Sequence, residues 1–424
     1  MTAKRTRRPV RLAVKAGLIA IAIGGASTLV AQRTSTAPAA SARTMPQFAL
    51  DGTVHVPAFD LPPSSLASAE ALAEQKARAG APAMTGNMAE IPIAELRATV
   101  ERYMAPLVAK MKARYAVDVV AQQIGGVPTR IVTPRGGEAD PSRILINLHG
   151  GGFMVCADGC GLLESMPIAA VGRYRVVTVD YRQGPENVFP AASQDVASVY
   201  NQLLKSYRPE NIGIYGCSAG GLLTAQSVAW FVDKSIPLPG AVGIFGAGGV
   251  RFGSGDSGYV AAYTDGTFPP PGPDGSSIPT SYFKGTDMRG PLVSPAAHLD
   301  VAAKFPPTLI ITGTRAMDMS PAIYTNNQLL KAGARSNLIV GEAMGHCHIY
   351  NSALPEARDA YDQIVRFFDA NLGSGGKGRP VPAQPSAAIA PRDRPARRES
   401  CLERTEAMGN SKFAFRKRKK DCVD

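Results

Sequence analysis

The chain is poor in charge along most of its length, in long apolar runs and in histidine. Its net charge of +12 comes from residues 1–15 and 374–424. The body between them is near neutral, which argues against a nucleic-acid-binding protein. The uncharged apolar run Ala16–Ala31 falls short of the roughly 20 residues that a membrane-spanning helix needs. Five histidines leave few candidates for a general base.

The N-terminus has the three parts of an export signal. Basic residues up to Lys15 precede the apolar run, and Ala40-Ser41-Ala42 offers a cleavage site of the A-x-A type. We therefore predict that residues 1–42 are a signal peptide and that the protein is exported, either to a periplasm or out of the cell. An uncleaved signal that anchors the chain to a membrane is the alternative.

From about residue 116, apolar strands alternate with amphipathic helices. This alternation predicts an α/β fold with a mostly parallel central sheet that is covered by helices on both faces. In chain order, the predicted strands are Val117–Gln122, Thr129–Thr133, Ile144–Leu148, Val176–Val179, Ile212–Tyr215, Ala241–Phe245, Thr308–Thr312 and Leu338–Val340. The predicted helices are Ser64–Gly80, Ile93–Lys112, Ala191–Ser206, Ala219–Val232, Ser320–Ala332 and Pro355–Asn371.

Three further segments accompany this core of residues 116–373. Residues 43–115 contain two helical runs and are predicted to be an N-terminal cap segment. Residues 250–306, rich in Gly, Pro and Ser, are predicted to be an inserted segment that covers the site. Residues 374–424 end in a basic cluster, Arg416–Lys420. They are predicted to be a disordered tail, which either has no function or makes weak contact with an anionic membrane surface.

The segment Gly216–Gly220, GCSAG, joins an apolar strand to a helical run. Strand, G-x-S-x-G and helix in this order form a nucleophile elbow, in which a sharp turn lifts the serine hydroxyl above the sheet. A Cβ at either flanking glycine would clash in such a turn. The pattern makes Ser218 the candidate nucleophile, and Cys217, one place before the tip, is a poor alternative. A plain Gly/Ser turn is the non-functional interpretation.

The segment His149–Phe153, HGGGF, directly follows a predicted strand. Consecutive glycines allow backbone N–H groups to face a reacting oxygen without an intervening side chain. Gly151 and Gly152, together with Ala219, are therefore predicted to form an oxyanion hole. His149 itself is interpreted as structural.

A serine nucleophile needs a base, and a histidine and an acid follow it at suitable places. His346 lies between the last predicted strand and the last predicted helix, and histidine can accept a proton near neutral pH. His348 is the rival base. Asp318, after the strand Thr308–Thr312, would orient the imidazole. The alternatives are that Glu342 is the acid and that Asp318 caps the helix that begins near Ser320.

These motifs and two others resemble the bacterial hormone-sensitive-lipase-like esterases over about Asp60–Leu372. The further matches are Asp180–Glu186 with Phe189–Ala192, and Leu292–Pro295. The chain departs from the family pattern at Cys217, where aspartate is usual, and at Ala316, where many relatives place the acid. The resemblance implies an α/β-hydrolase core with a helical cap and the hydrolysis of carboxylic esters, without a cofactor or metal.

The sequence thus predicts an exported serine hydrolase. It would cleave small-molecule carboxylic esters with small to medium acyl groups, through a Ser-His-Asp triad and an acyl-enzyme. Two alternatives remain. One is a lactonase or amidase with the same triad, and the other is a non-catalytic ligand-binding module of the same fold. The presence of His346 argues against the binding module.

The six cysteines are an even number, which suits disulfides in an exported protein. Cys156 and Cys160 are a plausible bridge, whereas a single C-x3-C pair is a weak zinc signal. Cys217 and Cys347 each adjoin a candidate catalytic residue. Buried free thiols are the alternative, and the connectivity stays open.

Overall fold

The computed structural model describes residues 45–78, 91–136, 139–272 and 281–373. The predicted signal segment 1–42 and the predicted tail 374–424 lie outside these ranges. The chain divides into two compact units, Met1–Leu61 and Pro62–Asp424. In the described part of the first unit, β1 (Gln47–Phe48) and β2 (Val54–His55) pair as a short antiparallel hairpin.

The second unit is built on one eight-stranded sheet. Its strands are β3 (Val117–Ile124), β4 (Val127–Pro134), β5 (Ile144–Leu148), β6 (Arg175–Val179), β7 (Ile212–Cys217), β8 (Ala241–Phe245), β9 (Thr308–Gly313) and β10 (Ser336–Gly341). Their order across the sheet is β10-β9-β8-β7-β5-β6-β4-β3. The hairpin of β3 and β4 is antiparallel and adds to β6 in antiparallel fashion. All other neighbours pair in parallel.

Helices connect these strands. They are α1 (Ala69–Arg78), α2 (Ile93–Arg114), α3 (Gly159–Gly172), α4 (Ala191–Leu203), α5 (Ala219–Asp233), α6 (Asp256–Thr264), α7 (Leu299–Ala302), α8 (Met319–Lys331) and α9 (Pro355–Asn371). Single 3-10 turns lie at Pro209–Asn211, Ser281–Phe283, Pro295–Ala297 and His348–Tyr350. Within the described ranges, every helix is too short or too polar to span a bilayer.

The sheet is buried on both faces, because its central strands carry apolar residues at successive positions. In β5, Ile144, Ile146 and Leu148 pack into a core with residues of α4, α5 and α8. Leu145, between them, points the other way into a second core with residues of α3 and α9. This alternation follows from the two-residue period of a strand.

The predicted α/β fold, with a mostly parallel sheet between two helical layers, is confirmed. All eight strands of the main sheet are close to their predicted positions. The predicted helix Ala191–Ser206 is shorter than expected and ends at Leu203. Helix α3 is not among the predicted helices, although ten of its residues are buried.

Candidate active site

Ser218 occupies the turn between the last residue of β7 and the first residue of α5. Its backbone has φ 59° and ψ −124°, a conformation that non-glycine residues adopt only where the surrounding structure imposes it. The Ser218 N–H donates to the carbonyl of Phe245 at 2.9 Å, which ties the turn to β8. An added Cβ would lie 2.1 Å from the Leu148 carbonyl oxygen at Gly216 and 1.7 Å from it at Gly220. Only glycine fits at these two positions.

Ser218, His346 and Asp318 form one chain of hydrogen bonds. The Ser218 hydroxyl oxygen lies 2.9 Å from Nε2 of His346, and the His346 Nδ1 lies 2.5 Å from Oδ1 of Asp318. The three groups come from the carboxyl ends of β7, β9 and β10, which are brought to one edge of the sheet by parallel pairing. Ser218 is itself nearly buried, with 7% of its surface exposed.

Asp318 is fully buried, and both of its carboxylate oxygens are engaged. Oδ1 meets His346, and Oδ2 accepts a hydrogen bond from the Thr312 hydroxyl at 2.6 Å. Asp318 does stand at the N-cap position of α8, but its side chain makes no capping hydrogen bond. The alternative that Asp318 serves as a helix cap is therefore wrong.

The other candidate acid and base lie away from this chain of bonds. Glu342 accepts a hydrogen bond from the Ser64 hydroxyl at 2.8 Å. Burial lowers the pKa of His348 to about 4, and no hydrogen bond joins its ring to Ser218 in the described residues.

His149 is buried, stacks on Tyr181 with ring centroids 4.3 Å apart, and donates from Nδ1 to the Gly150 carbonyl. Burial lowers its pKa to about 4 as well, which suits a neutral structural ring.

The glycine segment after β5 lies beside the serine. An added Cβ on Gly150 would be 3.3 Å from the Ser218 Cβ. Gly151 and Gly152 have φ of 113° and 62°, which bends the segment in a way that other residues rarely allow. In the described part of the chain, no hydrogen-bond partner is found for the N–H groups of Gly151, Gly152 and Ala219. These are the three donors that the sequence predicts for the oxyanion hole.

Two aromatic side chains from the predicted covering segment pack against the imidazole. Phe268 meets the His346 ring edge-on at a centroid distance of 5.2 Å, and Phe252 does so at 6.4 Å. They shield the imidazole from water on that side. Residues 273–280 of the same segment lie outside the described ranges.

The described helices of the predicted N-terminal cap segment contact the loops that carry the site. Glu74 of α1 accepts a hydrogen bond from the Asn351 amide at 2.6 Å, close to the histidine loop. Arg97 of α2 donates to the carbonyl of Met154 at 2.8 Å and pairs with Glu186. Both helices therefore support segments next to the proposed catalytic groups.

Two disulfides lie near the site. Cys156 pairs with Cys160, as predicted. Cys217 pairs with Cys347, a bridge that the sequence left open. It also excludes Cys217 as a free nucleophile. The signal for this pair is that each cysteine adjoins one of two residues expected to touch, Ser218 and His346.

One buried group near the site was missed altogether. The carboxylate of Glu164, on α3, accepts hydrogen bonds from the backbone N–H groups of Gly150 and Cys217. The sequence signal was a lone acid within an otherwise apolar stretch, Cys160–Ala170.

Comparison with known proteins agrees with the observed fold. Residues 145–350 match the family model described as alpha/beta hydrolase fold. An acetyl-hydrolase of Streptomyces hygroscopicus is 29% identical over 235 residues, which cover 55% of this chain and 77% of that protein. The versiconal hemiacetal acetate esterase of Emericella nidulans is 33% identical over 139 residues, which cover 31% of this chain but only 47% of that protein.

Solved structures share the fold. The crystal structure of an esterase called E25 has a TM-score of 0.65 and 27% identity, and the match covers 75% of this chain and 98% of that chain. An esterase from the bacterial hormone-sensitive lipase family has a TM-score of 0.60 and 24% identity, with 72% and 97% covered. The predicted α/β-hydrolase fold and the resemblance to esterases of this kind are confirmed.

Proposed function

The chain carries an α/β-hydrolase domain related to carboxylic ester hydrolases, and on that premise we propose that Ser218, His346 and Asp318 are its catalytic triad. The observation that carries the proposal is the unbroken chain of hydrogen bonds from the Ser218 hydroxyl through His346 to Asp318. A serine hydroxyl is a weak nucleophile, and an adjacent base that accepts its proton activates it.

In the acylation step, Ser218 Oγ attacks the ester carbonyl carbon while its proton passes to His346 Nε2. Asp318 accepts the Nδ1–H, which fixes the tautomer that presents a bare Nε2 to serine and stabilises the imidazolium that forms. The carbonyl oxygen becomes an oxyanion, which the N–H groups of Gly151, Gly152 and Ala219 receive. Ala219 is the first residue of α5, where backbone N–H groups have no partner within the helix and favour negative charge.

Collapse of the tetrahedral intermediate breaks the bond to the leaving alcohol, and His346 donates the proton that this oxygen needs. A water molecule, deprotonated by His346, then attacks the acyl-enzyme and releases the acid and free Ser218. The balance is one ester and one water consumed for one acid and one alcohol. Loss of a single oxyanion donor typically costs about 10²–10³ in kcat in comparable sites.

For the acyl group, we propose small to medium chains, with acetyl as the first to test. The names of two relatives support this, since one is an acetyl-hydrolase and the other an acetate esterase. The rings of Phe252 and Phe268 beside His346 also reduce the space around the base. We expect kcat/KM to be highest for p-nitrophenyl acetate to hexanoate and to fall for laurate and palmitate.

Covalent labelling by a fluorophosphonate tests the nucleophile. Wild-type protein should be labelled on Ser218 with loss of p-nitrophenyl acetate hydrolysis, and Ser218→Ala should be neither labelled nor active. Ser227→Ala is the matched control, because Ser227 is a buried serine of α5, the helix that follows Ser218, and its hydroxyl only donates to the Leu223 carbonyl. Labelling that survives in Ser218→Ala would contradict the assignment.

A substrate panel separates the related activities. Ester, lactone and anilide substrates with the same acyl group share the attack by Ser218 but differ in the leaving group. We propose the ester as the preferred substrate, and a larger kcat/KM for the lactone or the anilide would assign the chain to the alternative activity. A wild-type protein that stays unlabelled and inactive would favour the ligand-binding module.

We also propose that the protein is exported and that residues 1–42 are removed. Two disulfides in the described residues support an oxidising compartment. Mass spectrometry of protein expressed with its full N-terminus should find cleavage after Ala42, in the periplasm or medium. Intact protein in the membrane fraction would indicate an uncleaved anchor instead. For the other end of the chain, loss of binding to anionic vesicles on removal of residues 374–424 would assign surface contact to the tail.

A further inference from the structure

Glu164 is a carboxylate placed where a protein seldom places one. It lies on α3 with 2% of its surface exposed, and no ion pair to it is found among the described residues. Burying a carboxyl without a cation is costly, and burial raises the pKa of Glu164 to about 7. An apolar residue would fill the same space without that cost, so the hydrogen bonds of this carboxyl call for an explanation.

Four donors meet this carboxyl, two on each oxygen. Oε1 accepts from the Gly150 N–H at 2.9 Å and from the Tyr350 hydroxyl at 2.6 Å. Oε2 accepts from the Asn147 amide at 2.7 Å and from the Cys217 N–H at 3.0 Å. A carboxylate has about four acceptor positions, and all of them are used.

The donors belong to the three segments that carry the proposed catalytic groups. Gly150 immediately precedes the oxyanion glycines, and Cys217 immediately precedes Ser218. Tyr350 ends the 3-10 turn that follows His346. The segments also touch each other here, since an added Cβ on Gly150 would lie 2.5 Å from the Tyr350 hydroxyl.

We propose that Glu164 is a positioning residue of the esterase, which holds the oxyanion donors, Ser218 and His346 in register through hydrogen bonds to Gly150, Cys217 and Tyr350. The proposal rests on the function proposed above and deepens it. Glu164 does not touch the reacting atoms. It acts through the backbone N–H groups of Gly150 and Cys217, each one residue from a proposed catalytic group, and through the Tyr350 hydroxyl. A displacement of about 1 Å at such a site can cost on the order of 10² in rate.

The geometry explains why the residue is an acid and not its amide. Ionised or protonated, a carboxyl keeps an acceptor lone pair on each oxygen, so it can receive both backbone N–H groups. Glutamine has one acceptor oxygen and an NH2 group. The Asn147 amide and the Tyr350 hydroxyl can turn to suit it, but the N–H of Gly150 or that of Cys217 must then face another donor.

Glu164→Gln in the full chain tests the proposal, with p-nitrophenyl acetate as substrate and a trifluoromethyl ketone as transition-state analogue. We expect kcat per folded molecule to fall by about 10- to 100-fold with KM within about twofold. Affinity for the ketone should weaken in parallel, because its hemiketal needs both Ser218 and the oxyanion donors. Tyr215→Phe is the matched control, since it deletes a hydrogen bond to the Glu164 backbone carbonyl and leaves the carboxyl untouched.

Tyr350→Phe is the second variant, which removes one donor and keeps Glu164. It should lower kcat severalfold with KM unchanged, and it keeps the proposal testable if Glu164→Gln does not fold. The proposal is overturned if a folded Glu164→Gln keeps the kcat and the ketone affinity of wild type. If Glu164→Gln does not fold, the same result in Tyr350→Phe overturns it. A loss of kcat in the tested variant that only equals the loss in Tyr215→Phe also overturns it. Failure of the proposed function is distinguishable, because wild type would then be inactive or its activity would survive Ser218→Ala.

Discussion

Cys217 and Cys347 form a disulfide that joins the residue before Ser218 to the residue after His346. Ser218 and His346 lie 128 residues apart in sequence and follow strands β7 and β10, which are not adjacent in the sheet. The bridge therefore links covalently the two residues that adjoin the hydrogen-bonded pair Ser218 and His346.

We expect Cys217→Ala with Cys347→Ala to lower both stability and activity. A disulfide that closes a long loop contributes roughly 2–4 kcal/mol to the free energy of unfolding. Without it, the histidine loop is held to the elbow only by non-covalent contacts, so kcat should fall at temperatures where the variant is still folded. Urea unfolding and p-nitrophenyl acetate kinetics at 25 °C measure the two effects.

The control is Cys156→Ala with Cys160→Ala, which opens a bridge between residues only four apart. That loop is short, so its closure removes less entropy from the unfolded chain, and it does not adjoin Ser218 or His346. Dithiothreitol should inactivate wild-type protein and the control pair alike. An equal loss of kcat in the two double variants would show that the position of the bridge beside the triad has no special effect.

The sequence was sufficient for the sheet and for selecting Ser218, His346 and Asp318, which the fold brings together, because both have local signals. Buried parallel strands are continuous apolar runs, and the glycines around Ser218 are required by contacts with the neighbouring strand β5. His346 and Asp318 follow strands whose carboxyl ends meet at one edge. The order of these residues along the chain was therefore enough to predict that they lie close together.

Helix α3 lacked such a signal, and Glu164 was missed with it. Gly159, Gly161 and Pro167 all lower helix propensity, and the helix is buried nearly all round, so it has no polar face to give a 3.6-residue period. The helix is stabilised by packing against the sheet and α9, and these tertiary contacts cannot be read from the sequence. The Cys217–Cys347 pairing stayed open for a similar reason, since pairing is decided by which loops the fold brings together.

The buried carboxyl also predicts how stability depends on pH. The pKa of Glu164 is raised by burial from 4.5 to about 7. The folded state therefore binds this proton more tightly than the unfolded chain does. The stabilisation from Glu164 is complete below pH 4.5 and is lost as the pH rises through 7.

Comparison with Glu164→Gln isolates this effect, because the amide does not titrate. Between pH 5 and pH 8, wild type should lose about 2–3 kcal/mol of unfolding free energy relative to the variant. Burial lowers the pKa of His149 from 6.5 to about 4, so His149 adds a pH dependence of opposite sign in the same interval, but this contribution is present in both proteins and cancels in the difference. Burial raises the pKa of Tyr181, Tyr215 and Tyr350, so these tyrosines stay protonated. A constant difference in urea unfolding at the two pH values would contradict the raised pKa.

Asp318→Asn should abolish most of the activity and leave the fold in place. The amide can donate to His346 Nδ1, which then presents an N–H at Nε2 toward Ser218 and cannot accept its proton. In the best-studied triad the same change lowers kcat about 10⁴-fold. We expect a loss of that order in kcat for p-nitrophenyl acetate, measured on protein whose melting temperature has been determined.

Glu342→Gln is the matched control for this change, because Glu342 is the alternative acid and its side chain accepts a hydrogen bond only from Ser64 among the described residues. Its kcat should stay within about twofold of wild type, since surface substitutions of this kind have small effects. Asp318→Asn also separates a catalytic role of Asp318 from a role in stability. Because its side chain caps nothing, Asp318→Asn should lose turnover far out of proportion to any change in stability. Nearly full activity in Asp318→Asn, or an equal loss in Glu342→Gln, would remove Asp318 from the triad.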